Sequence, residues 1–296
     1  MVETHSVEVT TRTLVESMVR EDSTIDAGAL YTVANALGMT DQQVRLCVRR
    51  LVADGQFTQE GRGRKAILRA TAATASALAP DVEFVRYMFA QDRGEAAWDG
   101  LWHLAAFAIP ETARSARDAM RDGIVRLGGA PIQGGLYVSP NAWEPHLDAL
   151  AAELDVTDHL TTFTTTDLRV GHTEAPRRIA ARLWPLDEIA ARHRRLMDFA
   201  RRTLRRLRTA PLSDNELLTV TIELAAEFTR AMEPDPLLPP QLLPQPWAGT
   251  KARGVVAECW ALLLAAETST PPKLFRAYAD AVSGIAEHAD PQSISQ

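Results

Sequence analysis

Along the N-terminal stretch the apolar positions step at helical spacing three times. TRTLVESMV predicts a short helix. DAGALYTVANALG predicts a second, with Leu30, Val33, Ala34 and Leu37 inward and Gly38 ending it. MTDQQVRLCVRRLVADG predicts a third, because Val44, Cys47, Val48 and Leu51 follow the i, i+3, i+4, i+7 pattern of a helix packed on a core. Thr40 stands at its N-cap, and Gln43 three residues on completes a capping box. The period then changes. In GQFTQEGRGRKAILRA, Phe57, Ile67 and Leu68 are strand-like and flank the glycine-punctuated turn EGRGRK. Three helices and a hairpin, with the tight turn GMT between the second and third helices, are the order of a winged helix-turn-helix.

Thr71 to Ala79 reads as an alanine-rich helical connector. Beyond it, LWHLAAFAIP is an apolar strand stopped by Pro110, and ETARSARDAMRDGIVRLGG is a helix with a glycine stop. APIQGGLYVSP is a strand or hairpin, NAWEPHLDALAAEL a helix and HLTTFTTTDL a final strand. Strands alternating with helices in this way predict a small α/β sandwich of ferredoxin-like type. From Pro176 on the pattern is helical, broken by the proline-dense EPDPLLPPQLLPQPWAG. Leu196, Phe199, Thr203 and Leu207 form the expected buried stripe of LDEIAARHRRLMDFARRTLRRLR, PKLFRAYADAVSGIAEHA reads as a last helix, and DPQSISQ as a frayed end. The expected architecture is α+β in three domains. These are a winged helix-turn-helix with its connector over 1–79, a ferredoxin-like domain serving dimerisation or effector binding over 80–175, and a mostly helical domain over 176–296.

Charge narrows the function. The net charge of -6 excludes a generally basic coat, so any nucleic-acid surface must be local. One such surface is visible. Thr40 to Ala70 carries seven basic residues against Asp41, Asp54 and Glu60. The two cysteines, Cys47 and Cys259, lie in apolar helical patterns and read as reduced core thiols of a cytoplasmic protein. No apolar run reaches the ~20 residues of a membrane span, and the polar, acidic start MVETHSVEVT does not read as a signal peptide. The seven histidines show no metal spacing. There is no CxxC, no phosphate-binding glycine loop and no Gly-x-Ser-x-Gly elbow, so no catalytic residue, metal ligand or cofactor is expected.

Three stretches resemble one family. ALYTVANALGMTDQQVRLCVRRLVADGQFTQEGRGRKAILRAT is similar to the winged helix of PaaX-type transcriptional repressors. WDGLWHLAAFAIPETARSARDAMRDGIVRLGGAPIQGGLYVSP is similar to that family's central domain, and DPLLPPQLLPQPWAG to its C-terminal proline motif. The resemblance implies a dimer on an imperfect palindrome of double-stranded DNA, released by a small effector such as an acyl-coenzyme A thioester or an aromatic acid. It also implies a central domain like the ferredoxin-like nucleases of CRISPR adaptation. The family often has an aspartate in DIPE after the first strand, whereas this chain has Ala108 in FAIPE. A metal-dependent nuclease or a coenzyme A-linked enzyme built on this domain is the competing expectation, and Ala108 counts against the nuclease. The tryptophan often found after the wing glycine is replaced by Gln56-Phe57, and the tyrosine of the second wing strand is missing from KAILRA.

Arginine can donate two parallel hydrogen bonds to guanine, and glutamine can pair with both edge groups of adenine. Gln42, Gln43 and Arg45, in the first turns of the third helix, are therefore the expected base readers. Thr40, Arg49, Arg50, Arg62, Arg64 and Lys65 complete the expected DNA contacts, although Arg50 could instead pair with Asp54 one turn on. A second basic run, Pro176 to Arg208, sets eleven arginines against Asp187, Glu188 and Asp198. It admits three readings: a solvated face answering acidic helices, a DNA-backbone contact, or a grip on the phosphates of an acyl-coenzyme A. Arg201, Arg202, Arg205 and Trp247 are the candidate effector residues, in a pocket walled partly by PLLPPQLLPQPW.

Overall fold

The computed structural model describes residues 9–77, 82–209 and 211–266. The start MVETHSVE, the end of the connector, the helix expected over PKLFRAYADAVSGIAEHA and the tail DPQSISQ lie outside the described residues. The chain divides into two compact units. One runs to Arg86 and takes in Arg195–Thr229 and the segment from Lys251. The other comprises Tyr87–Arg194 and Arg230–Thr250.

The first unit begins with α1 (Thr11–Ser17), β1 (Thr24–Asp26), α2 (Ala27–Ala36) and α3 (Asp41–Ala53). β2 (Phe57–Glu60) and β3 (Ile67–Ala70) follow, and the three strands form an antiparallel sheet in the order β1-β3-β2. Side chains from every one of these elements meet in one core. Leu14, Ile25, Leu30, Val33, Val44, Leu51, Phe57 and Leu68 are all buried there. The short α4 (Ala72–Ala77) covers most of the predicted connector, and α5 (Val82–Asp92) follows.

The second unit centres on β4 (Trp102–Phe107), α6 (Arg114–Arg126), β5 (Ala130–Gln133), β6 (Leu136–Ser139), α7 (Glu144–Glu153) and β7 (Leu160–Thr165). The strands pair antiparallel in the order β5-β6-β4-β7. Side chains alternate across β4, as the two-residue period of a strand requires. Ala105 faces a core with Met120, Ile124 and Leu147 of α6 and α7. Trp102 and Leu104 face a second core, which takes in α8 (Pro176–Leu183), the start of α9 (Leu186–Thr209) and the proline-rich loop. With both faces covered, LWHLAAF reads as a continuous apolar run. The loop's Leu238, Leu242, Leu243 and Trp247 are all buried in that core.

The remaining helices are α10 (Asp214–Met232) and α11 (Ala248–Ala265). In the first unit Ile222 of α10 joins the N-terminal core. The buried stripe of α9 differs from the expected one. Leu196, Ala200, Thr203 and Leu204 are buried, whereas Phe199 and Leu207 are half-buried. The cause is a close approach by α11, where the Cys259 thiol donates to the Ala200 carbonyl at 3.3 Å. A small side chain admits that contact, so Ala200 rather than Phe199 centres the stripe. Among the described residues no helix is long and apolar enough to cross a membrane.

Candidate nucleic-acid interface

α3 starts as its sequence requires. The Thr40 hydroxyl accepts from the Gln43 N–H at 3.3 Å, and the Gln43 side-chain oxygen accepts from the Thr40 N–H at 2.7 Å. The same oxygen also accepts from the Thr40 hydroxyl at 2.9 Å. This capping box satisfies two N–H groups that a helix start otherwise leaves bare. It also occupies Thr40 and the acceptor end of Gln43, two of the residues expected at DNA. Val44, Val48 and Leu51 are buried, and Cys47 is half-buried. Burial pushes the Cys47 thiol up, which favours the neutral form.

The opposite face of α3 presents Gln42, Gln43, Arg45, Leu46, Arg49 and Arg50 to solvent. The turn between β2 and β3 carries Arg62, Arg64 and Lys65, all exposed, in a short 3-10 turn over Gly63–Lys65. Gly61 and Gly63 sit at φ +84° and +62° there, a backbone region that side chains disfavour. The turn folds back on α2: a Cβ added to Gly28 would stand 3.0 Å from the Arg64 carbonyl oxygen.

Arg45, Arg49 and Arg62 line one cleft with Tyr31, Gln59 and Gly63, a cavity of about 250 Å³ between α2, α3 and the hairpin. Among the described residues Arg45, Arg49, Arg50, Arg62 and Lys65 have no ion-pair partner, and the alternative Arg50–Asp54 pair does not form. Three of these five cations, Arg45, Arg49 and Arg62, thus share one cleft in a chain of net charge -6. Arg64 differs. Its guanidinium reaches Asp41 at 3.4 Å and lies 5.4 Å from the ring centre of Tyr31. Asn35 donates to the same carboxylate at 3.2 Å. Asp41 therefore ties α2, α3 and the hairpin turn together, and Arg64 braces the turn.

The other candidate residues fall elsewhere. Arg201, Arg202 and Arg205 are exposed on α9, with Arg202 over the Phe199 ring at 5.8 Å. Further along the helix, Arg206 pairs with Glu216 and Arg208 with Glu258. In the second unit Arg177 donates to the Gln241 carbonyl and Arg182 to the Val170 carbonyl. Trp247 is buried, its ring edge-on to His193 at 6.0 Å. His193 in turn meets Asp235 at 2.6 Å. Asp235 also accepts from the Leu237 N–H, which fixes the entry to the proline loop. At the end of β4, Ala108 bonds through its N–H to the His159 carbonyl and offers no carboxylate.

Two family models match in tandem. Residues 95–179 match the PaaX protein central Cas2-like domain, and 184–270 match the PaaX-like protein C-terminal domain. Together they take in more than half of the chain. The chain belongs to the PaaX family. This PaaX-family chain also shares its fold with the uncharacterized protein Rv0674 from Mycobacterium tuberculosis. The two are 20% identical with a TM-score of 0.54, over 87% of this chain and 99% of that one. No curated protein matches. PaaX-family proteins are transcriptional regulators associated with phenylacetic acid catabolism.

Proposed function

We propose that this chain is a ligand-responsive, DNA-binding transcriptional repressor of the cytoplasm and not an enzyme. In this reading residues 1–79 are a winged helix-turn-helix, 80–175 a ferredoxin-like domain and 176–296 a helical domain. Helix α3 enters the major groove and the β2–β3 hairpin is the wing. The observation that carries the reading is the set of cations with no ion-pair partner among the described residues, Arg45, Arg49, Arg50, Arg62 and Lys65, on α3 and the hairpin turn of a chain with net charge -6. Phosphate is the counter-charge such a set lacks, and a guanidinium fork matches its oxygens. Gln42 and Arg45 are the base readers, and Arg49, Arg50, Arg62 and Lys65 the phosphate contacts. The β-α-β-β-α-β order of the second unit supports the ferredoxin-like reading.

One recognition helix reads few base pairs, so the functional species is a homodimer on a palindromic operator, its two helices about 34 Å apart. An acyl-coenzyme A thioester or aromatic acid is the proposed effector, with the exposed Arg201, Arg202 and Arg205 of the first unit as its phosphate partners. Such a ligand changes DNA affinity only by favouring one arrangement of the dimer.

The test begins with a duplex selected by the full chain from a randomised library. Arg45→Ala should weaken binding by roughly 1–3 kcal/mol and relax base preference at one position per half-site. Arg62→Ala should weaken all sequences alike. Light scattering should find two chains per duplex. A base preference untouched by Arg45→Ala would remove α3 from the groove.

A further inference from the structure

The outward face of α3 has an apolar crest. Leu46 is 57% exposed, and among the described residues no large apolar side chain is more exposed. Helical geometry puts it about 200° around the axis from the buried Val44. Its neighbours one turn away in both directions are Gln42, Gln43, Arg49 and Arg50, and all four are exposed. Folding gives no reason for a leucine at this place. The capping box starts the helix, Val44, Val48 and Leu51 anchor it, and a polar residue at position 46 would form helix as well while avoiding apolar exposure.

A surface that can seat this side chain must be apolar at one point and polar or anionic all around it. The floor of the major groove has that composition. Its base edges are hydrogen-bonding groups, phosphates line its walls, and the C5-methyl of thymine is its apolar contact. The crest of a recognition helix is also the part that reaches deepest. We infer that Leu46 reads a thymine methyl group, flanked by the hydrogen-bonding readers Gln42 and Arg45. The inference rests on the DNA-binding reading above and adds a specificity determinant to it. The leucine distinguishes a T·A pair from C·G at its position by the methyl group alone, without a hydrogen bond.

Deoxyuridine tests this directly, because it keeps every hydrogen-bonding group of thymidine and lacks only the methyl. In a duplex selected by the full chain from a randomised library, each thymine is replaced in turn by deoxyuridine. The wild type should lose about fourfold in affinity at one thymine per half-site, the worth of one buried methyl group. Leu46→Ala should bind the thymine and uracil duplexes equally while keeping the wild-type salt dependence. Leu46→Gln, which retains helix-forming tendency, is the second variant and should be equally indifferent to the methyl. Melting curves matching the wild type would exclude misfolding as the cause. A wild type indifferent to every uracil, or the same uracil penalty in both variants, would overturn the inference and leave DNA binding standing. A change of oligomeric state in Leu46→Ala would also overturn it, since the leucine would then be a protein contact. Failure to select or bind any duplex would overturn the DNA reading and this inference together.

Discussion

At the scale of single residues, position within the helix decides what a polar side chain is free to do. Gln43 and Gln42 are adjacent and both exposed, yet the Gln43 carbonyl is held by the Thr40 N–H and hydroxyl. That leaves Gln42 as the glutamine whose whole amide can meet an adenine edge. Arg64 and Arg62 are two residues apart, yet Arg64 leans on Asp41 and Tyr31 while Arg62 lines the cleft. The capping box was legible in the sequence because it spans only three residues. The Arg64–Asp41 pair spans twenty-three, and nothing local announces it. A titrating group in the second unit gives a separate test. Burial pushes the Glu144 carboxyl up, but its hydrogen bond with His103 and the bonds from the Glu144 and Trp143 N–H groups outweigh burial. Its pKa is therefore lowered in the folded protein. A lowered carboxylate stabilises the fold above its unfolded pKa, and that stabilisation is lost as pH falls through the folded value. Glu144→Gln should accordingly be less stable than the wild type at neutral pH, and the gap should close on acidification through the carboxylate range. Chemical denaturation at a series of pH values reads this, and a gap independent of pH would remove the ionised carboxylate from the account.

At the scale of elements, periodicity located most of the structure. The two-residue alternation along β4 and the helical stripes of α2 and α3 are local properties, and each sets which face is buried. What periodicity could not locate was the partner of each face. The N-terminal core takes in Ile222, far along the chain, and α9 turns Ala200 toward α11. The proline loop shows the same division. Its composition marked it as special, but only the fold reveals the glycine it needs. Gly128, at φ +83°, lies so close to the loop that an added Cβ would stand 2.7 Å from the Pro236 carbonyl oxygen. The Gly128 carbonyl also accepts from the Trp184 indole at 2.9 Å. Gly128→Ala meets both a left-handed backbone, worth about 1–2 kcal/mol against it, and a backbone clash that no side-chain rotation relieves. It should destabilise the second unit by at least that much in thermal or urea unfolding. Gly134, with open space at its Cβ position, is the control and should tolerate alanine far better.

At the scale of the whole molecule, the account turns on where the charge lies. The chain carries 38 acidic residues against 32 basic ones, so its mean field repels DNA. In the proposed reading, DNA binding comes from the local cation set on α3 and the hairpin turn, and it should weaken sharply with salt as condensed counterions are released. The central claim is tested most directly by the affinity of the full chain for its selected duplex across a salt series. With Arg49, Arg50, Arg62 and Lys65 of two chains on phosphates, log K should fall linearly with log salt, with a slope of roughly -7. Arg62→Ala in both chains should reduce that slope by about 2. A slope near zero, or a slope that Arg62→Ala leaves unchanged, would contradict the account.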